Sequence, residues 1–264
     1  MSEIRKYPRT RHVLDSRLQP GDTDLRAADF AEIAGRHLVI EEKVDGANAA
    51  ISFDADQKLR LQSRGHYLTG GPRERHFNLF KSWANAIVDT ILPVLADRFV
   101  VYGEWVYAKH TIFYDALPHY FLEFDVLDLA TDTFLSTPER RRLLAHLPFC
   151  SVRVLHEGPI ENAGQLKALV GPSAYKSSDW RARLMQAAGV APHRPDLVER
   201  QTDWSELIEG LYIKVEQDGR VAERFKYVRA DFLTTVLDSE SHWQSRPILP
   251  NQLAHGARGT AIDR

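Results

Sequence analysis

The sequence predicts an α+β fold in which strands are joined by tight turns and helices stand apart from them. Three observations lead there. Short apolar or alternating runs lead into turn dipeptides, at Asp45-Gly46 and Asp218-Gly219. Apolar and aromatic residues recur at helical spacing from Phe77 to Leu92. A middle stretch, residues 136–205, changes texture to short helical patterns separated by Gly, Pro and Ser.

In chain order, residues 1–36 are polar and turn-rich and read as an arm packed over the domain, with Arg9 and Arg11 as surface charges. Leu38-Val39-Ile40 then leads into Glu42-Lys43-Val44-Asp45-Gly46-Ala47-Asn48, and Ala49-Ala50-Ile51-Ser52-Phe53 follows, so a strand pair is expected around Lys43. A lysine where a strand enters a turn can be aimed into a cleft. To act as a nucleophile it must be neutral, so its pKa has to fall below the ordinary value of about 10.4. A third strand alternates over residues 58–63, with a hairpin connection at 54–57 and Arg64-Gly65 at its end. Residues 67–76, with Arg73 and Arg75, read as a basic loop before a helix that ends near Pro93.

Two later strands carry acids. Phe99-Val100-Val101-Tyr102 runs into Gly103-Glu104-Trp105, and Glu123 and Asp125 flank Phe124, which alternation places on the opposite face. Acids against apolar strands are costly unless they are paired or bind a metal. Within 136–205, Ser136-Thr137-Pro138-Glu139 reads as a capping box opening a helix to Leu147, with further helices at 163–170 and 179–188. This stretch reads as a helical insertion with its own small core, rich in arginine (Arg140, Arg141, Arg142, Arg181, Arg183), within a single domain spanning 1–264. Glu209-Gly210-Leu211-Tyr212-Ile213-Lys214-Val215 and the return strand to Val228 close the pattern, with Arg224 and Lys226 on one face.

Composition sets bounds. The chain has 264 residues, 44% apolar and 27% charged, with a net charge of −2, so any polyanion site must come from local clustering of cations. The single Cys150 excludes a disulfide framework and a multi-cysteine zinc site. No apolar run approaches about 20 residues, and the first residues lack a signal-peptide core. A cytoplasmic enzyme without membrane contact is the expectation.

The six stretches at 42–48, 63–65, 102–105, 122–126, 209–215 and 224–228, in that order, resemble the covalent nucleotidyltransferase superfamily of polynucleotide ligases and capping enzymes. Among these they most resemble the RNA ligase 2-like family, given Asn48 two places after the glycine and the Tyr-Gly-Glu-Trp form of the third motif. The resemblance implies an antiparallel-sheet nucleotidyltransferase domain (the ATP-grasp-like ligase adenylation architecture) with ATP in a cleft between sheets. It implies Lys43 as the adenylated nucleophile and Glu42 and Asn48 bordering the nucleotide. Asp45 would orient the lysine and ribose, and Arg64 would contact ribose or a substrate phosphate. Phe124 would stack on adenine. Glu104 would bind ribose or a metal-bound water, Glu209 would hold metal water, with Mg²⁺ or alternatively Mn²⁺ as the cation, and Arg224 and Lys226 would bind the triphosphate. The fifth motif departs from the family in carrying Arg224 where lysine is usual. About 37 residues follow Tyr227, too few for the family's C-terminal OB-fold or helical domain.

The reaction so implied seals RNA 5′-phosphate and 3′-hydroxyl ends through lysyl-AMP and an adenylated RNA end. The alternatives are a DNA ligase, a capping guanylyltransferase, or a non-catalytic RNA-end-binding module. The basic loop and the insertion's arginines are the candidate RNA track, unless a partner protein grips RNA or heals its ends.

Overall fold

The turn after Lys43 carries the chain from one β-sheet to another, and the rest of the architecture follows from that crossing. The structure is a computed structural model that describes residues 4–17, 26–190, 192–232 and 247–256. The elements in order are β1 (Arg11–His12), β2 (Leu38–Lys43), β3 (Ala47–Phe53), β4 (Leu59–Ser63), α1 (Asn78–Ala86), α2 (Val88–Leu95), β5 (Phe99–Trp105), β6 (Phe121–Asp128) and β7 (Thr133–Phe134). There follow α3 (Thr137–Leu144), β8 (Cys150–Ser151), β9 (Val154–Gly158), α4 (Ala163–Ala168), α5 (Trp180–Ala188), α6 (Pro195–Arg200), β10 (Gly210–Gln217) and β11 (Arg220–Val228). One sheet has the order β1-β11-β10-β2-β9 and the other β4-β3-β5-β6-β7, with β8 beside β6. Apart from β1 on β11 and β8 on β6, every pairing is antiparallel.

The runs on either side of Lys43 are therefore not a hairpin pair: β2 pairs with β10 and β9, whereas β3 pairs with β4 and β5. Gly46 permits the crossing. A Cβ there would lie 2.8 Å from the Trp105 carbonyl oxygen and from Val106 Cγ1, closer than real side chains approach. The β10–β11 turn is a hairpin, as expected. Asp218 and Gly219 both have positive φ, 53° and 74°, which matches the twist of the flanking strands.

Each sheet has an apolar outer face. Ile51, Val101 and Phe121 pack under α1 and α2 through Phe80, Trp83 and Ile91, while Leu38, Ile40, Ile213 and Phe225 pack against Ile33, Ile160 and Leu166. Burial of each such side chain contributes about 1.5–3 kcal/mol relative to exposure. The helix expected from Phe77 starts as a 3-10 turn and breaks at Ile87 into α1 and α2, and α2 takes Pro93 inside it.

The stretch 136–205 departs from the expected helical insertion. It supplies β9 as the edge strand on β2, and its Trp180 and Leu184 share a core with Phe113 and Leu249 from outside it. Helix α3 stops at Leu144. The capping box does not form; Glu216 on β10 instead accepts from Thr137 N at 2.9 Å and Thr137 Oγ1 at 2.6 Å, satisfying the helix start.

The inner faces carry charge. Arg140 is fully buried, 2.8 Å from Glu41 and 3.4 Å from Glu123. Lys214 lies 2.9 Å from Glu41 and 3.2 Å from Asp125, and Arg224 lies 2.9 Å from Asp125. Three acids and three cations thus link β2, β10, β11, β6 and α3. Arg140 is consequently not available to an RNA track. Arg181 pairs with Glu206 at 2.6 Å and Arg183 with Asp115 at 3.4 Å, so these two insertion arginines are also engaged within the fold. Arg11, likewise, forms a two-pronged pair with Glu32 at 2.9 and 3.0 Å.

Removing one partner of a buried charge pair leaves the other uncompensated. Arg140→Ala is expected to lower the unfolding free energy by about 3–5 kcal/mol in urea titrations. Arg141→Ala and Arg142→Ala, on the exposed side of the same helix, are expected to change it by about 0.5 kcal/mol or less. Equal effects at all three positions would contradict the buried network.

Candidate active site

A cleft of about 540 Å³ opens between the sheets and is lined by residues from nearly every motif. Lys43, Asp45, Gly46 and Asn48 come from the crossing, Glu104 from β5, Phe124 from β6, Glu209 from the entry to β10 and Lys226 from β11. Arg64, exposed on the rim, and Glu42 complete the set. The structure therefore brings nine of the ten expected site residues into one cavity. The tenth, Arg224, is absent from its lining. Arg224 Nε instead donates to Asp125 Oδ2 at 2.9 Å and to Tyr7 Oη at 3.0 Å, and its guanidinium stacks 3.8 Å from the Phe134 ring centre. Buried anion and aromatic partners hold it beneath the cleft, so the fifth motif presents only Lys226 to the cavity.

Lys43 Nζ lies 2.7 Å from Glu209 Oε1. Register explains the contact, because Lys43 pairs directly with Gly210 on the adjacent strand. Burial works against the charged amine, but Glu209, with Glu104 and Asp45 behind it, outweighs burial and raises Lys43 above the ordinary lysine range. The lysine is thus held as an ammonium by the Glu209 carboxylate.

Glu104 shows the opposite imbalance. Burial pushes its carboxyl up to about 8; Lys43 offsets part of that, and Glu209 and Asp45 add to it. Its position is fixed by pairing with Asn48 across β3–β5. Two acids in one cleft with too little positive charge fit an added cation. Asn48 Oδ1 is buried and accepts no hydrogen bond among the described residues, so it fits a donor from a bound molecule. No three His, Cys, Asp or Glu side chains converge as a complete metal cage among the described residues.

Asp45, two residues after Lys43, ties the turn to the loop that follows β5. Its Oδ2 accepts from Thr111 N at 2.7 Å and Ile112 N at 2.8 Å, anchoring the following loop, and Oδ1 lies 4.0 Å from His110. Glu42 is buried and accepts from Ser173 Oγ at 2.5 Å; burial raises its carboxyl to about 7.

Phe124 lines the cleft, but not on a face opposite its neighbours. Tyr102 pairs with Asp125 and Gly103 with Glu123, so Phe124 is the extra residue of a β-bulge that interrupts the alternation. All three side chains reach the opposite sheet or α3. The carbonyl released by the bulge accepts from both Arg140 Nη1 and Lys214 Nζ.

Other cleft residues gave no signal in the sequence. Tyr7 and Thr10 come from the arm; Tyr7 Oη donates to Asp125 Oδ2 at 2.5 Å, and its ring meets Phe124 edge-on at 5.1 Å. His110 lines the wall beside Lys43, and burial lowers its pKa. Only the register and loop geometry bring these residues in.

The RNA ligase family model matches residues 36–228, from the approach to β2 to the last residue of β11. The chain belongs to the RNA ligase family. An archaeal ATP-dependent RNA ligase is 19% identical to it, with a TM-score of 0.50, over 86% of this chain and 48% of that one. A Naegleria gruberi RNA ligase mutant with ATP and Mn is 16% identical, with a TM-score of 0.50, over 83% of this chain and 59% of that one. At this identity the likeness shows the fold, an α+β RNA ligase architecture with antiparallel sheets. This chain spans about half the length of the solved RNA ligases it matches. A search of curated proteins gives no match. No helix among the described residues is long and apolar enough to cross a membrane.

The raised Glu104 carboxyl gives the cleft a pH signature. The native state retains a proton that the unfolded chain releases near the ordinary value of 4.5, so this contribution to stability is full below pH 4.5. It is lost as pH rises through about 8. In thermal melts without metal or nucleotide, Glu104→Gln is expected to gain on the wild type as pH rises from 5.5 to 8.5. A constant difference in melting temperature across that range would contradict the assignment.

Proposed function

We propose that this chain is an ATP-dependent RNA ligase whose nucleophile is Lys43. The observation that carries the reading is the Lys43–Glu209 pair at 2.7 Å inside a cleft that also presents Glu104, Asn48 and Lys226. Phe124, with Tyr7 and Tyr212 behind it, offers an aromatic wall for the adenine, and Asn48 Oδ1 an acceptor for the nucleotide. Glu42 borders the same space. Lys226, and Arg64 on the rim, supply positive charge for phosphates.

Glu104 and Glu209 are the residues that would hold a hydrated Mg²⁺, with Mn²⁺ as an alternative. A cation held there would supply positive charge to offset that of the phosphates and the departing pyrophosphate. Lys43 gives its proton to solvent water in the open cleft, and its neutral amine attacks the α-phosphorus in line. A P–N bond forms as the bond to pyrophosphate breaks, while Lys226 faces the developing charge. The AMP then passes to an RNA 5′-phosphate, and an RNA 3′-hydroxyl displaces it to seal the strand.

Lys43→Ala and Lys43→Arg are both expected to abolish transfer of α-phosphate label from ATP to the protein, since a guanidinium does not deprotonate in a protein. Persistent label on either folded variant would remove Lys43 from the role.

For RNA, the rim arginine is the first contact. Arg64 makes no ion pair or hydrogen bond among the described residues and is exposed at the cleft mouth. Arg64→Ala is expected to weaken binding of 5′-phosphorylated nicked RNA and to lower the salt-dependence slope by about one. An unchanged slope would shift the grip to the basic loop at Arg73 and Arg75 or to a partner protein.

A further inference from the structure

The turn that aims Lys43 is gripped by a loop, and that loop is gripped in turn by residues 247–256, beyond the stretch that the family model matches. Residues 106–117 form no helix and no ladder strand; they make only single bridges, Ala108 to Pro250 and Leu117 to Leu253. Their backbone groups must find partners elsewhere. On the outer side, Lys109 N donates to Leu249 O at 2.8 Å, Asn251 N to Tyr107 O at 2.8 Å and Gln252 N to Tyr114 O at 2.8 Å. On the inner side, Thr111 N and Ile112 N donate to Asp45 Oδ2, and the Asp45 N–H donates to Tyr114 Oη at 2.9 Å.

Asn251 joins the two ends of this loop. Its Nδ2 donates to Val106 O at 2.7 Å, and its Oδ1 accepts from Tyr114 N at 2.9 Å. The side chain is 1% exposed, and Tyr114 is fully buried against Val44, Val106 and Ile112. Asn251 therefore fixes the backbone of Tyr114, and the Tyr114 hydroxyl fixes the backbone of Asp45, two residues after Lys43. We propose that Asn251 is a positioning residue for Lys43, acting through Tyr114 and Asp45. The proposal rests on the reading of Lys43 as the nucleophile. The Asn251 amide ties together the two ends of the loop whose Tyr114 hydroxyl and Thr111 and Ile112 N–H groups hold Asp45.

Tyr114→Phe tests the relay with the least disturbance, because it keeps the buried ring and removes only the oxygen that accepts the Asp45 N–H. Asn251→Ala removes the brace itself. Hydrogen exchange of the 43–48 peptide, a thermal melt and the rate of label transfer from ATP are measured on both variants in the full chain. Both variants are expected to lower kcat for adenylation by about 10²-fold with KM for ATP within about twofold of wild type, the signature of a displaced reacting group. Exchange at Asp45 is expected to speed up by about tenfold, with the Tyr114→Phe melt close to that of wild type. A Tyr114→Phe protein with wild-type kcat, or unchanged Asp45 exchange in both variants, would overturn the proposal. A wild-type chain that forms no lysyl-AMP would contradict the reading of Lys43; the exchange readout then decides the brace by itself.

Discussion

Two sheets that turn charged inner faces towards each other can close only if those charges match. Here Glu41, Glu123 and Asp125 meet Arg140, Lys214 and Arg224 at 2.8–3.4 Å, across five elements. The match is tight enough that Asp125, despite the cost of burial, is held at about 2 by Lys214, Arg224 and Arg140. Such networks add little net stability over apolar packing, but they tolerate no single loss. Their second effect is geometric. Arg140 and Lys214 both donate to the Phe124 carbonyl, Asp125 binds Tyr7, and these contacts set one wall of the cleft.

The cleft above that layer is deliberately out of balance by comparison. Glu104 is pushed up to about 8, and Lys43 is raised by its pairing with Glu209. The floor of the molecule neutralises itself, whereas the site waits for charge from outside. A lysine kept as an ammonium is protected from adventitious electrophiles. In the proposed reaction the same lysine must first give up its proton, so its pairing with Glu209 sets when it can react.

The motifs were legible because they sit on strands, where spacing and turn dipeptides fix which residues come together. The run at 42–48, the hairpin at Asp218-Gly219 and the acids at Glu104 and Glu209 all follow that logic. What failed did so where tertiary context decides. Three consecutive arginines at 140–142 look alike in sequence; only docking of α3 selects Arg140 for burial. The bulge at Phe124 breaks a period of two that carries no local mark. The Lys43 stretch reads as a strand pair because Asp-Gly is a turn dipeptide, whereas here the glycine serves the close approach to Trp105 and Val106 at a sheet crossing. Tyr7, His110 and Asn251 lie in irregular segments, where no periodicity points to a cleft or to a brace.

Covalent adenylation of the Lys43 amine is the step on which the proposed function depends. The most direct measurement is peptide mapping by mass spectrometry of the wild-type protein after incubation with ATP and Mg²⁺. The account predicts one AMP, attached through nitrogen to Lys43, reversed by added pyrophosphate. A folded protein that carries no AMP under these conditions, or carries it on another residue, would contradict it.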